Sequence, residues 1–99
     1  MIEYIKEYGV TDNDYNYIIT NVPSTILEIM VLSENKVRLT LDYFNSIGLS
    51  ESVAKIIIKR PDLVIIERNV LEELVNKVDS KTFVNIVKDS IDDLIILGI

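Results

Sequence analysis

No cysteine, histidine or tryptophan occurs among the 99 residues. Without cysteine there can be no disulfide and no thiolate metal site. Without cysteine or histidine, the usual zinc and copper sites and the Ser-His-Asp triad cannot be built. Any metal site would need oxygen ligands alone, and any general acid or base would be a carboxylate, a lysine or a tyrosine. Gly9, Gly48 and Gly98 are the only glycines, too scattered for a phosphate-binding loop. These gaps lead us to expect a protein that is not an enzyme, with no cofactor, metal or small-molecule substrate.

Positive charge is also scarce. Ten Lys and Arg face 16 Asp and Glu, for a net charge of −6 and a pI near 4.5. A chain of that sign repels phosphate backbones at long range, so nucleic-acid binding is disfavoured unless a local basic patch overcomes the mean field. Uninterrupted apolar runs are only a few residues long, against the ~20 needed to span a bilayer. The opening MIEYIKEYGV has acids at Glu3 and Glu7, and no arginine precedes Arg38, so neither a signal nor a transit peptide is expected. A cytoplasmic protein is the expectation, and heavy use of Ile, Asn, Lys and Tyr points by composition to a bacterial source.

What is present is a large apolar fraction, 48%, beside 26% charged residues. That balance and length fit a single globular domain over residues 1–99. An internal repeat organises it. Shifted by 38 residues, Pro23 falls on Pro61, Tyr15 on Val53, Ile18 on Ile56, Ile19 on Ile57, Ile26 on Val64 and Leu27 on Ile65. Shifted by 30, Ser80 falls on Ser50, Phe83 on Val53, Ile86 on Ile56, Leu94 on Val64 and Ile95 on Ile65. YIKEYGV (4–10) matches YFNSIGL (43–49); in the third copy Val78 takes the glycine position and Ile91 the proline position.

Each copy reads as helical. Thr11, Ser50 and Ser80 stand where an N-cap would satisfy free backbone N–H groups, and Gly9 and Gly48 suit a left-handed residue at a helix C-terminus. Val53, Ile56 and Ile57, then Phe83, Ile86 and Val87, form one helical face. Pro61 ends the helix near Arg60; DLVII after it is a short helical or 3₁₀ turn, and longer helices follow over roughly 34–47 and 69–78. VRLTLDYF (37–44) also alternates as a strand would, and with ILEIMVL could make a hairpin; Val37, Leu41, Phe44 and Ile47 serve a helix equally well. The expected fold is all-α, with about six to eight short helices in degenerate helix-turn-helix repeats, forming a small solenoid or a compact helical bundle.

GLSESVAKIIIKRPDLVI (48–65), YGVTDNDYNYIITNVPSTIL (8–27) and DSKTFVNIVKDSIDDLII (79–96) together resemble the repeat of the mitochondrial transcription termination factor (mTERF) family: glycine, hydroxyl residue, apolar helical face, proline, short apolar turn. The third segment lacks both glycine and proline. The resemblance implies an all-helical solenoid that binds nucleic acid through a basic face. This chain departs from it by being short and acidic.

Candidate site residues follow from these patterns. Lys55 and Lys59 share a helix face, Arg60 sits at its end and Arg68 is nearby; together they could contact phosphates, or they could solvate the surface and complement a helix dipole. Asp12, Asp14 and Asn16 match the start of a calcium loop, but Tyr17 and Pro23 occupy its glycine and glutamate positions. Glu72–Glu73 and Asp92–Asp93 are adjacent pairs, which diverge around a helix. Tyr4, Tyr8, Tyr15 and Tyr17 crowd the amino end as core or interface residues, with base stacking the alternative. Ile58, Ile66 and Ile96 lie beside faces already apolar, and the carboxyl end LIILGI carries no charged side chain. Either that tail tucks into the core, or Ile58, Ile66, Ile96, Leu97 and Ile99 meet another chain. The functional expectation is therefore a non-enzymatic protein-interaction module or small homo-oligomer, with a nucleic-acid-binding mTERF-like repeat protein as the alternative.

Overall fold

Gly9 and Gly48 adopt φ of 88° and 94°, the left-handed region in which a Cβ is penalised. Each stops one helical segment and redirects the chain into the next. The computed structural model describes residues 1–99, and it contains helices and turns with no strand. A 3₁₀ helix, Glu3–Tyr8, leads into α1 (Asp12–Asn21), α2 (Ser24–Leu32) and α3 (Glu34–Ser46). After Gly48 come α4 (Val53–Lys59), α5 (Asp62–Ile65) and α6 (Arg68–Val78), then α7 (Ser80–Ser90) and a second 3₁₀ helix, Ile91–Leu97. In both α1–α3 and α4–α6 the third helix is the longest, at 13 and 11 residues.

The breaks have the expected chemistry in most places. The Thr11 hydroxyl oxygen accepts the Asp14 N–H at 3.2 Å, capping α1. Pro61 follows the end of α4, where the Arg60 N–H still bonds to the Ile56 carbonyl at 2.7 Å. Two expected caps are corrected. Ser50 does not start α4; a further turn, held by the Ser52 N–H on the Leu49 carbonyl at 2.9 Å, delays the helix to Val53. That turn carries Leu49 into the core, where it is wholly buried. Ser80 is the first residue of α7 and not its cap; Asp79 precedes it at φ 76° and provides no side-chain cap bond.

Helix, not strand, claims residues 37–44. Val37, Thr40, Leu41 and Phe44 fall on one buried side of α3, the i, i+3, i+4, i+7 spacing of a helical face. The aligned residues Tyr15, Val53 and Phe83 are all buried, and the Phe44 and Phe83 rings stack with centroids 6.5 Å apart and planes 9° apart. Thr40 and Ser52 are the buried polar residues. The Thr40 hydroxyl donates to the Ile66 carbonyl at 2.9 Å, tying α3 to the end of α5. The radius of gyration, 12.6 Å, is close to the ~13 Å of a compact 100-residue domain. The helices therefore form a compact bundle, not an extended solenoid.

Candidate functional site

The four cations singled out in the sequence are not equivalent. Arg60 donates to both carboxylate oxygens of Asp62, each at 3.0 Å, and also to the Ile99 carbonyl. Arg68 pairs with Glu72 at 2.8 Å, one helical turn along α6, and lies over the Tyr43 ring at 5.6 Å. The Lys55 ammonium donates to the Lys88 carbonyl at 3.2 Å, near the end of α7, where the helix dipole favours a cation. Lys59 is exposed at the last position of α4. Lys55 and Arg68 also line separate depressions: Lys55 one of about 490 Å³ with Ser50, Ser52 and Lys88, Arg68 one of about 410 Å³ with Lys36, Leu39 and Glu67. Carboxylate partners neutralise two of the four charges, those of Arg60 and Arg68.

The densest ionic cluster lies elsewhere, around Arg38. Its guanidinium bonds to Glu7 at 2.8 and 3.3 Å and to Glu34 at 2.8 Å, and it sits 5.1 Å from the centre of the Tyr4 ring. Tyr8 donates to the Arg38 carbonyl at 3.4 Å. The hydrogen bonds and charge of Arg38 hold the Glu7 carboxyl below its usual range, while burial pushes the Tyr4 hydroxyl up to about 12. Tyr4 donates to the Met30 carbonyl at 2.6 Å. These contacts fasten the first 3₁₀ helix to α2 and α3, and they explain the tyrosine-rich amino end as packing. Tyr17 alone of its four tyrosines is well exposed. Asp12 pairs with Lys6 at 3.1 Å, and no group of acids gathers to hold a metal ion.

The apolar candidates divide similarly. Ile58, Ile66 and Ile99 are half-buried and pack against the core, and Leu97 is half-buried. Ile96 stands in solvent at 78% exposure, beside Ile95 at 76%. Within this segment Ile91 and Leu94 enter the core, while Ile95 and Ile96 stay exposed. Ile95 aligns with Leu27, which is buried, so equivalent positions in the repeat have different surroundings here.

A second apolar surface was not singled out from the sequence. Helix α2 buries Leu27 and Met30 but leaves Ile29, Val31 and, at 84% exposure, Leu32 outside. Ser24, Leu27, Glu28, Val31 and Leu32, with Met1 at the edge, surround an open groove of about 620 Å³. The available signal was the helix composition itself: STILEIMVL has apolar residues on all sides and one charge, which a helix buried on one side only does not need. No helix is long and apolar enough to cross a membrane. Comparison with known proteins adds no relative: no family model, curated protein or solved structure matches the chain.

Proposed function

We propose that this protein is a non-enzymatic protein-interaction module that acts by presenting aliphatic side chains to another polypeptide. The observation that carries this reading is the exposure of Leu32 at 84%, continuous with Val31 and the α2 groove. Ile95 and Ile96 offer a second such patch. Covering one such side chain contributes about 1.5–3 kcal/mol, so a partner that buries several of them gains enough to offset part of the cost of association. The nucleic-acid alternative draws less support, because Arg60 and Arg68 are each paired with a carboxylate and the net charge is −6. Our reading extends the mTERF resemblance to the order of helices and not to nucleic-acid binding.

The test is co-purification with chemical cross-linking in cell extract, comparing the unaltered chain with Leu32→Glu and with Ile95→Glu/Ile96→Glu. A cross-linked protein, or a second copy, that is lost in one variant supports the module. No cross-linked species, or equal recovery with every variant, overturns it. Anisotropy of labelled DNA and RNA tests the alternative: binding at physiological salt that disappears in Lys55→Ala/Lys59→Ala/Arg60→Ala would replace the interaction reading.

A further inference from the structure

We infer that the depression between the start of α4 and the end of α7 binds a small phosphate monoester with a polar, sugar-like body. This site is separate from the aliphatic patches, so it stands or falls apart from the interaction reading. Gly48, Ser50, Glu51, Ser52, Lys55 and Lys88 border about 490 Å³, with no apolar side chain among them. That volume lies within the ~300–1,000 Å³ of small-molecule sites. Ser52 is the first pointer to a ligand. It is buried to 8% exposure, yet its hydroxyl neither caps α4 nor bonds elsewhere in the chain. No unpartnered side-chain oxygen is sealed from solvent, so this hydroxyl opens into the depression that Ser52 lines. A polar group at such depth is normally hydrogen-bonded, and a ligand oxygen would complete it.

The lysines set the charge of that ligand. Lys6, Lys36, Arg38, Arg60 and Arg68 each meet a carboxylate. Lys55 and Lys88 meet none, although the chain is acidic, and Glu51 at the rim pairs with neither. The Lys55 ammonium is held in place by the Lys88 carbonyl at 3.2 Å, which leaves two of its three N–H groups to donate. Two ammonium groups and a hydroxyl match a phosphate monoester, which carries about −1.5 to −2 at neutral pH and three acceptor oxygens. A carboxylate offers a single charge and two oxygens. The walls set the rest of the molecule. Ser50 and Glu51 present a hydroxyl and a carboxylate, which are partners for sugar hydroxyls. A nucleobase would need an aromatic or aliphatic wall to lie against, and none lines this space.

Amide NMR of the isotope-labelled chain, titrated at constant ionic strength with ribose 5-phosphate, inorganic phosphate and ribose, tests this. The expected result with ribose 5-phosphate is saturable shifts at Ser50, Ser52, Lys55 and Lys88, with a dissociation constant of about 1 mM. Inorganic phosphate should bind more weakly, and ribose should not bind. Ser52→Ala and Lys88→Gln should each weaken binding about tenfold or more, the scale of one hydrogen bond to a charged group. Lys77→Gln, at an exposed position outside the depression, should leave it unchanged. No group of the chain uses the Ser52 hydroxyl, so Ser52→Ala should keep the urea midpoint of the unaltered chain, which separates lost binding from lost folding. Shifts that never saturate, or equal weakening by Lys77→Gln, would show only screening of surface charge and overturn the inference. Inorganic phosphate that binds as tightly as ribose 5-phosphate overturns it as well, as does unchanged affinity in both Ser52→Ala and Lys88→Gln.

Discussion

The Thr40 hydroxyl donates to the Ile66 carbonyl across 2.9 Å, and it joins α3 to the turn that ends α5. Thr40 is fully buried, so its donor has no water to turn to. Thr40→Val keeps the shape of the side chain and removes the donor. The expected loss is about 1 kcal/mol or slightly more, read as a lower urea midpoint at unchanged slope, with Thr40→Ser retaining most of the stability. Equal stability of the valine variant would show that the bond contributes nothing.

Arg38 links the amino-terminal segment to α3 through Glu7 and Glu34, and Tyr4 and Tyr8 are its other titratable neighbours. Hydrogen bonding to Arg38 lowers the Glu7 pKa in the folded protein. A carboxyl lowered in this way adds stability above its unfolded pKa of about 4.3, and the contribution fades as pH falls through the lower folded value. Glu7→Gln should therefore have a lower urea midpoint than the unaltered chain at neutral pH. The gap should hold down to about pH 5 and close below it. Added salt should narrow the neutral-pH gap, since Glu7 is exposed. A gap that is constant from neutral to acid pH would refute the linkage.

Asp79 occupies φ 76° and ψ 130° between α6 and α7, a conformation that side chains other than glycine's adopt at a cost. Asp79→Gly should relieve it and raise stability by about 1 kcal/mol. Gly48→Ala is the converse experiment. A Cβ there meets nothing within 4 Å, so the expected loss of about 1–2 kcal/mol is conformational alone. Thermal unfolding of the two variants should move in opposite directions; a destabilised Asp79→Gly would mean that the aspartate side chain compensates for its backbone.

Leu94 and Ile95 are neighbours in sequence with opposite surroundings, 0% and 76% exposed. Leu94→Ala should cost about 2–5 kcal/mol by leaving a cavity. Ile95→Ala should stay within about 0.5 kcal/mol. Calorimetry on both variants checks the contrast. Comparable losses would place Ile95 in the core and remove it as an interaction surface.

Much of the helix order was legible because local chemistry decides it. Gly9 and Gly48 mark left-handed breaks, Thr11 caps α1, Pro61 stops α4, and the spacing of Val37, Leu41 and Phe44 sets the buried side of α3. Ser50 and Ser80 misled because a hydroxyl residue near a helix start is also compatible with a turn, and Leu49 had to reach the core first.

Sequence by itself determined an all-α chain and no thiol or imidazole chemistry. Those properties depend on residue type and on neighbours within a few positions. Tertiary structure alone decided which surface groups remain free. Arg38 gathers Glu7 from 31 residues away, and Ile58 and Ile66 pack inward while Leu32, Ile95 and Ile96 stay in water. An apolar or charged side chain has the same composition whether covered or bare, and only the packing of distant helices determines which.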